Sequence, residues 1–215
     1  MTRSKHVRRK RKKRGCIPGL LVLGIIALVL FNLSRWVTPY MDYFTAVPDR
    51  EIPLYLQWDN RWENTAYGDG TIGKDGCGPT CVAMVASGLT GKEVLPPETA
   101  EYSFKHGYLA GGATSWTFMT EGAKHFGVKA KEISLSESVI RKTLESGKPI
   151  IASMGPGDFT EKGHFIILTG IAEDGKIIVN DPNSKKNSLK TWDISVFMKQ
   201  TKNLWACERT VASPS

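Results

Sequence analysis

The sequence predicts an α+β domain preceded by one transmembrane helix, and three observations carry that expectation. A stretch of twenty residues from Gly15 to Ser34 holds no charged side chain. Beyond it, helix signals dominate the first half of the chain, and short Ile- and Val-rich runs bounded by Gly, Pro and Asp dominate the second. Helices first and a mainly antiparallel sheet later is the order of an α+β fold, not the strand and helix alternation of a parallel sheet.

With 215 residues, 41% of them hydrophobic, the chain supplies one core of ordinary size and is too short for two large domains. The formal charge of +8 is misleading about partners, because nine of the 29 Lys and Arg lie between Arg3 and Arg14. The remaining 20 bases face 21 acids, so the basicity belongs to a short tail and no nucleic-acid partner is expected. Composition also excludes collagenous, coiled-coil and fully disordered classes.

Taken in order, residues 1–14 read as a basic cytoplasmic tail and residues 15–36 as a transmembrane signal anchor. Leu20, Leu21, Val22, Leu23, Ile25, Ile26, Leu28, Val29, Leu30 and Phe31 leave no polar face, and twenty helical residues span about 30 Å, the thickness of a bilayer core. The basic cluster holds the N-terminus in the cytoplasm and sends the rest outward, giving a single-pass protein of the cell membrane with an extracytoplasmic body. Asn32 to Val37 offer no small-x-small cleavage site, and Thr45 and Ala46 come late, so the anchor is expected to stay uncleaved. Trp36, Tyr40 and Tyr43 suit a membrane interface. Cys16 at the cytoplasmic edge reads as a small apolar filler. Residues 37–50, with Pro39 and Pro48, read as a stalk, residues 51–210 as the folded domain and residues 211–215 as a disordered tail.

Within the domain, Gly78 and Pro79 open a helix expected to run through Ser87 and stop at Gly88. Trp116, Met119, Ala123 and Phe126 repeat at helical spacing over 115–126, ending at Gly127. A third helix is expected over 136–145, capped by Ser136 and stopped by Gly147. Residues 149–154, 164–171, 176–180 and 204–207 read as strands.

Cys77, within Gly76-Cys77-Gly78-Pro79-Thr80, stands at the mouth of the first of these helices. Unpaired backbone N–H groups and the helix dipole there favour a thiolate, and the flanking glycines leave room for a carbonyl near the sulfur. A buried or disulfide-bonded cysteine at a helix cap is the plain alternative. A nucleophilic thiolate needs an imidazole, itself oriented by a third group. His164 is the strongest candidate, because it opens the run Phe165-Ile166-Ile167-Leu168 and a sheet then fixes its ring. His106 in a loop remains a second candidate, and His125 beside Lys124 reads as a solvated surface residue. Asp181, seventeen residues after His164, ends the next strand before Pro182 and reads either as an orienting carboxylate or as a turn residue. A two-residue turn at Asp174-Gly175 leaves the pair roughly 13 Å apart along the strand. A four-residue loop at 171–174 sets His164 directly across from Asp181, and the catalytic reading expects that loop.

Gly-Cys-Gly-Pro-Thr-Cys-Val-Ala-Met-Val at 76–85, Gly-His-Phe-Ile-Ile-Leu-Thr-Gly at 163–170 and Val-Asn-Asp-Pro at 179–182 together resemble family thirty-nine of the cysteine peptidases. The stand-alone domains of that family are the closer likeness, and Gln57-Trp58-Asp59-Asn60-Arg61-Trp62 with Tyr67-Gly68 resembles their lead-in. The resemblance implies a papain-like fold, with a nucleophile at a helix start packed on an antiparallel sheet. It implies Cys77 as nucleophile, His164 as general base and acid, and Asp181 as orienter, hydrolysing peptide bonds through a thioester with no cofactor and no metal. The implied partner is a peptide or protein substrate.

Two departures accompany it. Papain-like enzymes place an oxyanion-hole glutamine six residues before the cysteine, where this chain has Thr71; Gln57, twenty residues before, is the candidate substitute and Asn60 a weaker one. The bacteriocin-processing members act at the cytoplasmic face beside a transporter, whereas this chain has no transporter segment and its site is expected outside, so leader cleavage is not carried over. A silent peptide-binding module and a hydrolase of cell-wall peptides are the alternatives. Cys81 reads as packing beneath the helix, with a pairing to Cys207 open in an oxidising compartment. Zinc ligation by Cys77, Cys81, His164 and Cys207 fits by residue type, but the spacing matches no usual finger.

Overall fold

The computed structural model describes residues 52–210. The expected basic tail, membrane span and stalk, and the C-terminal tail 211–215, lie outside the described residues, and none of the described helices is long and apolar enough to cross a membrane. An irregular lead-in from Ile52 reaches a small hairpin of β1 (Ala66–Tyr67) and β2 (Gly70–Thr71), followed by a short helix α1 (Ile72–Asp75). Then come α2 (Cys77–Thr90), α3 (Pro96–Lys105), a second small hairpin of β3 (Leu109–Ala110) and β4 (Ala113–Thr114), α4 (Thr117–Thr120) and a 3-10 turn at Gly122–Phe126. The rest of the chain runs β5 (Val128–Glu132), α5 (Glu137–Glu145), β6 (Ile150–Met154), β7 (His164–Ile171), β8 (Ile177–Asn180), α6 (Lys185–Ser188), β9 (Thr191–Trp192), α7 (Ile194–Gln200) and β10 (Thr201–Arg209).

Six strands form one sheet in the order β5-β10-β6-β7-β8-β9, antiparallel at every pairing. This is the α+β arrangement expected from the order of signals. The apolar runs in β6 and β7 are continuous, not alternating, because both faces of the sheet are covered. Ile151, Phe165, Ile167, Trp205 and Cys207 face the cluster around α2, with Val82, Val85 and Phe118. Ile150, Ala152, Met154, Ile166 and Leu168 face the other cluster, with Ile140 and Leu144 of α5 and Phe197 of α7.

Helix α2 lies in the middle of the first cluster, and every residue from Gly78 to Ser87 is buried. A helix apolar on all sides finds no solvent face, so Gly88, expected to stop it, is passed over. The helix ends at Gly91, which adopts φ +69° and donates its N–H to the Ser87 carbonyl. Helix α3, absent from the sequence expectations, begins at Pro96 and Pro97, where proline is accommodated at the first turn. Its Thr99 hydroxyl donates to the Pro79 carbonyl at 2.9 Å and ties α3 to the start of α2. The helix expected over 115–126 is broken into α4 and the 3-10 turn, closed by Gly127 at φ +76° as expected. Helix α5 matches its expected range closely, with Ser136 at the N-cap, although its hydroxyl bonds to Ser138 and not to the backbone.

The hairpin of β7 and β8 follows neither register considered from sequence. Ile171 pairs with Ile177 across a loop of residues 172–176, and a bulge between Leu168 and Gly170 shifts the pairing to Ile167 with Asn180. His164 is therefore not directly across from Asp181; Asp181 leaves the end of β8 and reaches back to it. The physical reason lies in the loop, where the Ala172 N–H donates to the Lys176 carbonyl and the Gly175 N–H to the Ala172 carbonyl, closing a turn that matches neither expected connection.

Ile151 is fully buried on the α2 face and paired with Trp205. Ile151→Ala is expected to lower stability by about 2–5 kcal/mol through transfer and cavity costs, read as a lower urea midpoint at unchanged m-value.

Candidate active site

One residue, Gly76, separates α1 from α2 and donates its N–H to the Ile72 carbonyl at 2.9 Å, so Cys77 emerges from a tight corner as the first residue of α2. A Cβ on Gly78 would meet the Thr114 side chain at 2.7 Å, so the bare glycine lets β4 close against the helix start. Cys77 itself is half-buried.

His164 opens β7 and Asp181 follows β8; they are 7% and 0% exposed. His164 Nε2 lies 2.7 Å from Asp181 Oδ1. Cys77 and His164 act on each other's ionisation, and with Nε2 committed to Asp181 the ring's Nδ1 is the nitrogen left for sulfur. The structure thus brings the three sequence-chosen residues together, with a buried hydrogen bond between His164 and Asp181 and Cys77 coupled electrostatically to the same imidazole. Asp181 Oδ1 also accepts the Asn183 N–H at 2.8 Å, and Oδ2 accepts from Asn187 Nδ2 at 2.8 Å. The Asp181 N–H donates to Ser188 Oγ at 2.8 Å. Sequence reasoning missed Asn187 and Ser188, which lie in a Lys-rich segment, residues 184–190, that carries no pattern beyond a Ser184 cap.

Burial of the sulfur opposes a thiolate, yet the hydrogen bond and charge of His164, with the N–H groups of Phe165 and Gly78, outweigh it and hold Cys77 below the ordinary thiol value. Burial likewise opposes the imidazolium, but the hydrogen bonds to Asp181 and Cys77 and their charges raise His164 to about 10. Cys81, a helical turn further on, is pushed well up by burial and by the charges of Cys77, Asp181 and Cys207, and burial raises Cys207 to about 12. Among the three described thiols, only Cys77 is set up to ionise. Cys81 and Cys207 are both free, so the open pairing between them is not present.

Gln57 is 3% exposed and packs on the Asp181 loop, its N–H donating to the Pro182 carbonyl at 2.8 Å. Its Nε2 donates to the Gly73 carbonyl at 3.0 Å and to Lys74 at 3.4 Å, while Oε1 is buried without a partner. The side chain therefore stands beside the corner that precedes Cys77, with its donors spent on carbonyls. Asn60 is exposed, and Thr71 lies half-buried in β2. His106 and His125 stand away from these three residues, stacked on the two faces of Tyr102 with ring centroids 3.9 and 4.1 Å away. His125 is thus a stacked surface residue, and His106 joins it.

The Peptidase_C39 like family model matches residues 50–213. The chain belongs to this family. Among solved structures, the fold is similar to the crystal structure of the peptidase domain of Streptococcus ComA, a bi-functional ABC transporter involved in a quorum sensing pathway. The two share 19% identity with a TM-score of 0.51, over 74% of this chain and 98% of that one. No curated protein matches the chain in sequence. The family assignment supports a cysteine peptidase fold, and the likeness to the ComA domain extends to the α+β architecture and its antiparallel sheet.

Iodoacetamide alkylation of Cys77 is expected to follow a pH midpoint below that of an ordinary thiol. In His164→Ala the opposing burial is relieved of its main counterweight, and the midpoint is expected to move up by at least a unit. An unchanged midpoint shows that the imidazole does not control the sulfur.

Proposed function

We propose that this chain is a membrane-anchored, extracytoplasmic cysteine peptidase of papain-like design that hydrolyses peptide bonds through Cys77, His164 and Asp181. The single observation that carries the reading is the buried bond from His164 Nε2 to Asp181 Oδ1, on an imidazole whose charge Cys77 also favours. Family membership supports a peptide as substrate.

The Cys77 thiolate attacks the carbonyl carbon, forming a C–S bond while the carbonyl π pair moves onto oxygen. The backbone N–H of Cys77, at the first turn of α2, has no acceptor within its own helix and stabilises that oxyanion. Gln57 serves as the second donor by releasing the longer 3.4 Å bond to Lys74. Collapse breaks the C–N bond, and imidazolium Nδ1 gives its proton to the leaving amine. Water, deprotonated by the now neutral His164, attacks the thioester; the C–S bond breaks and the thiolate and imidazolium are restored. Asp181 holds the ring in the tautomer with hydrogen on Nε2 and stabilises its charge.

The anchoring part of the proposal rests on sequence alone: a cytoplasmic tail over 1–14, a signal anchor over 15–36, a stalk over 37–50, the catalytic domain over 51–210 and a tail over 211–215. The uncharged stretch after nine basic residues favours an outward-facing domain. Impermeant biotinylation of lysines in intact cells is the check, and labelling confined to residues 1–14 would reverse the topology.

Digestion of a peptide library by the full chain in detergent is expected to lose about 10³-fold or more of its rate in Cys77→Ala, and about 10²–10⁴-fold in Asp181→Asn. Cleavage that survives Cys77→Ala refutes the assignment. A chain that cleaves nothing, and whose Cys77 resists an amide-mimicking thiol probe, is the silent binding module instead. The rate is expected to rise with pH as Cys77 ionises, and to fall as the pH approaches about 10, where His164 loses the proton it must give to the amine.

A further inference from the structure

On the face of the sheet turned away from Cys77, a cleft of ≈ 350 Å³ opens between α5 and the paired strands β5 and β10. Its apolar floor includes Ile133, Val139 and Ala206, all partly exposed. Four ammonium groups line it: Lys129 and Lys131 on β5, Lys142 on α5, and Lys148 just before β6. One carboxylate, Glu208 of β10, lies among them, 3.5 Å from Lys129 Nζ and 2.6 Å from Lys148 Nζ. Lys131 and Lys142 have no carboxylate within ion-pair distance among the described residues, and both are exposed.

Concentration of charge here is not inherited from composition. From Ile52 onward the chain carries 18 basic and 18 acidic residues, so a cleft with four lysines and one glutamate is a local segregation on a neutral body. Like charges so arranged repel one another unless an anion joins them. We propose that this cleft is a docking groove for an acidic segment of a partner polypeptide, its carboxylates set on Lys131 and Lys142 and its apolar side chains on the floor.

Three features select a peptide over other polyanions. The groove already accommodates a carboxylate between two ammonium groups, that of Glu208, which marks the chemistry it accepts. No arginine fork lines it, as bidentate phosphate recognition favours; Arg141, the nearest on α5, is turned to Glu137 at 2.8 Å and to the Gly175 carbonyl at 2.9 Å. The apolar floor suits side chains that alternate with carboxylates and offers nothing to a fully hydrated polyanion. Because the groove lies on the face opposite the sulfur, binding there does not depend on the catalytic reading.

The test uses the full chain in neutral detergent, in a Cys77→Ala background so that no cleavage intrudes. The probe is a fluorescent dodecapeptide of Asp, Glu and Leu, with its Asn, Gln and Leu counterpart as control. Residues 3–14 also attract the acidic peptide, so the readouts are differential. Carbodiimide coupling is expected to map the peptide to Lys131 and Lys142 as well as to the tail. Lys131→Glu with Lys142→Glu is expected to weaken binding about tenfold relative to the charge-matched pair Lys92→Glu with Lys190→Glu. Glu208→Gln, which removes the resident carboxylate, is expected to tighten it severalfold, a gain that a merely damaged fold does not produce. Equal weakening by the two lysine pairs, coupling confined to the tail, or equal affinity for the uncharged peptide overturns the proposal. Displacement of the peptide from Lys131 and Lys142 by phosphatidylglycerol vesicles that themselves bind through these two lysines reassigns the groove to a lipid surface and overturns it as well.

Discussion

A neutral imidazole has one N–H and one lone pair, and the bond from His164 to Asp181 decides which end faces which partner. With Nε2–H held by a buried carboxylate, Nδ1 is the end free to take a proton from sulfur. Both groups are removed from water, where an unpaired charge is costly, so the arrangement persists only because Asp181 is satisfied on every side. Its two oxygens accept from His164, Asn183 and Asn187, and its own N–H is taken by Ser188.

The scaffold supplies this precision from several directions. Strand β7 fixes the backbone of His164 against β6, with Met154 as its cross-strand partner. The loop that carries Asp181 is pinned from outside by the lead-in segment: Asn180 Nδ2 donates to the carbonyls of Ile52 and Pro53, the Gln57 N–H donates to Pro182, and Trp58 Nε1 donates to Asn183. The same lead-in places Gln57 beside the corner before Cys77. A single extended strap thus couples the carboxylate loop to the approach of α2, and its geometry bears on both at once.

How much of this was legible beforehand depends on the range of each signal. Cys77, His164 and Asp181 sit at the ends of elements whose boundaries glycine, proline and hydrophobic runs announce locally, so their places could be read. The β7–β8 register could not be, because it depends on a five-residue loop and a bulge near Thr169 that no residue type advertises. Helix α3 was hidden by Pro96 and Pro97, which break a helix interior but suit its first turn. Gly88 misled in the opposite sense: the burial that surrounds α2 overrides its preference for a helix end. Asn187 and Ser188 act only through a fold that returns them to Asp181, and polar residues in a basic stretch carry no such message alone.

Strand β10 shows how one element can serve two faces without conflict. Its alternation sends Trp205 and Cys207 toward the cluster around α2, while Ala206 and Glu208 face the basic cleft. Trp205 carries contacts onward to Phe165, the residue after His164, and to the half-exposed Trp116. The opposite side chains meet lysines and solvent. A close-packed sheet separates these two sets. The proposed chemistry and the proposed docking thus fall on opposite sides of β10: Trp205 and Cys207 pack on the side of the candidate site, and Ala206 and Glu208 on the side of the cleft.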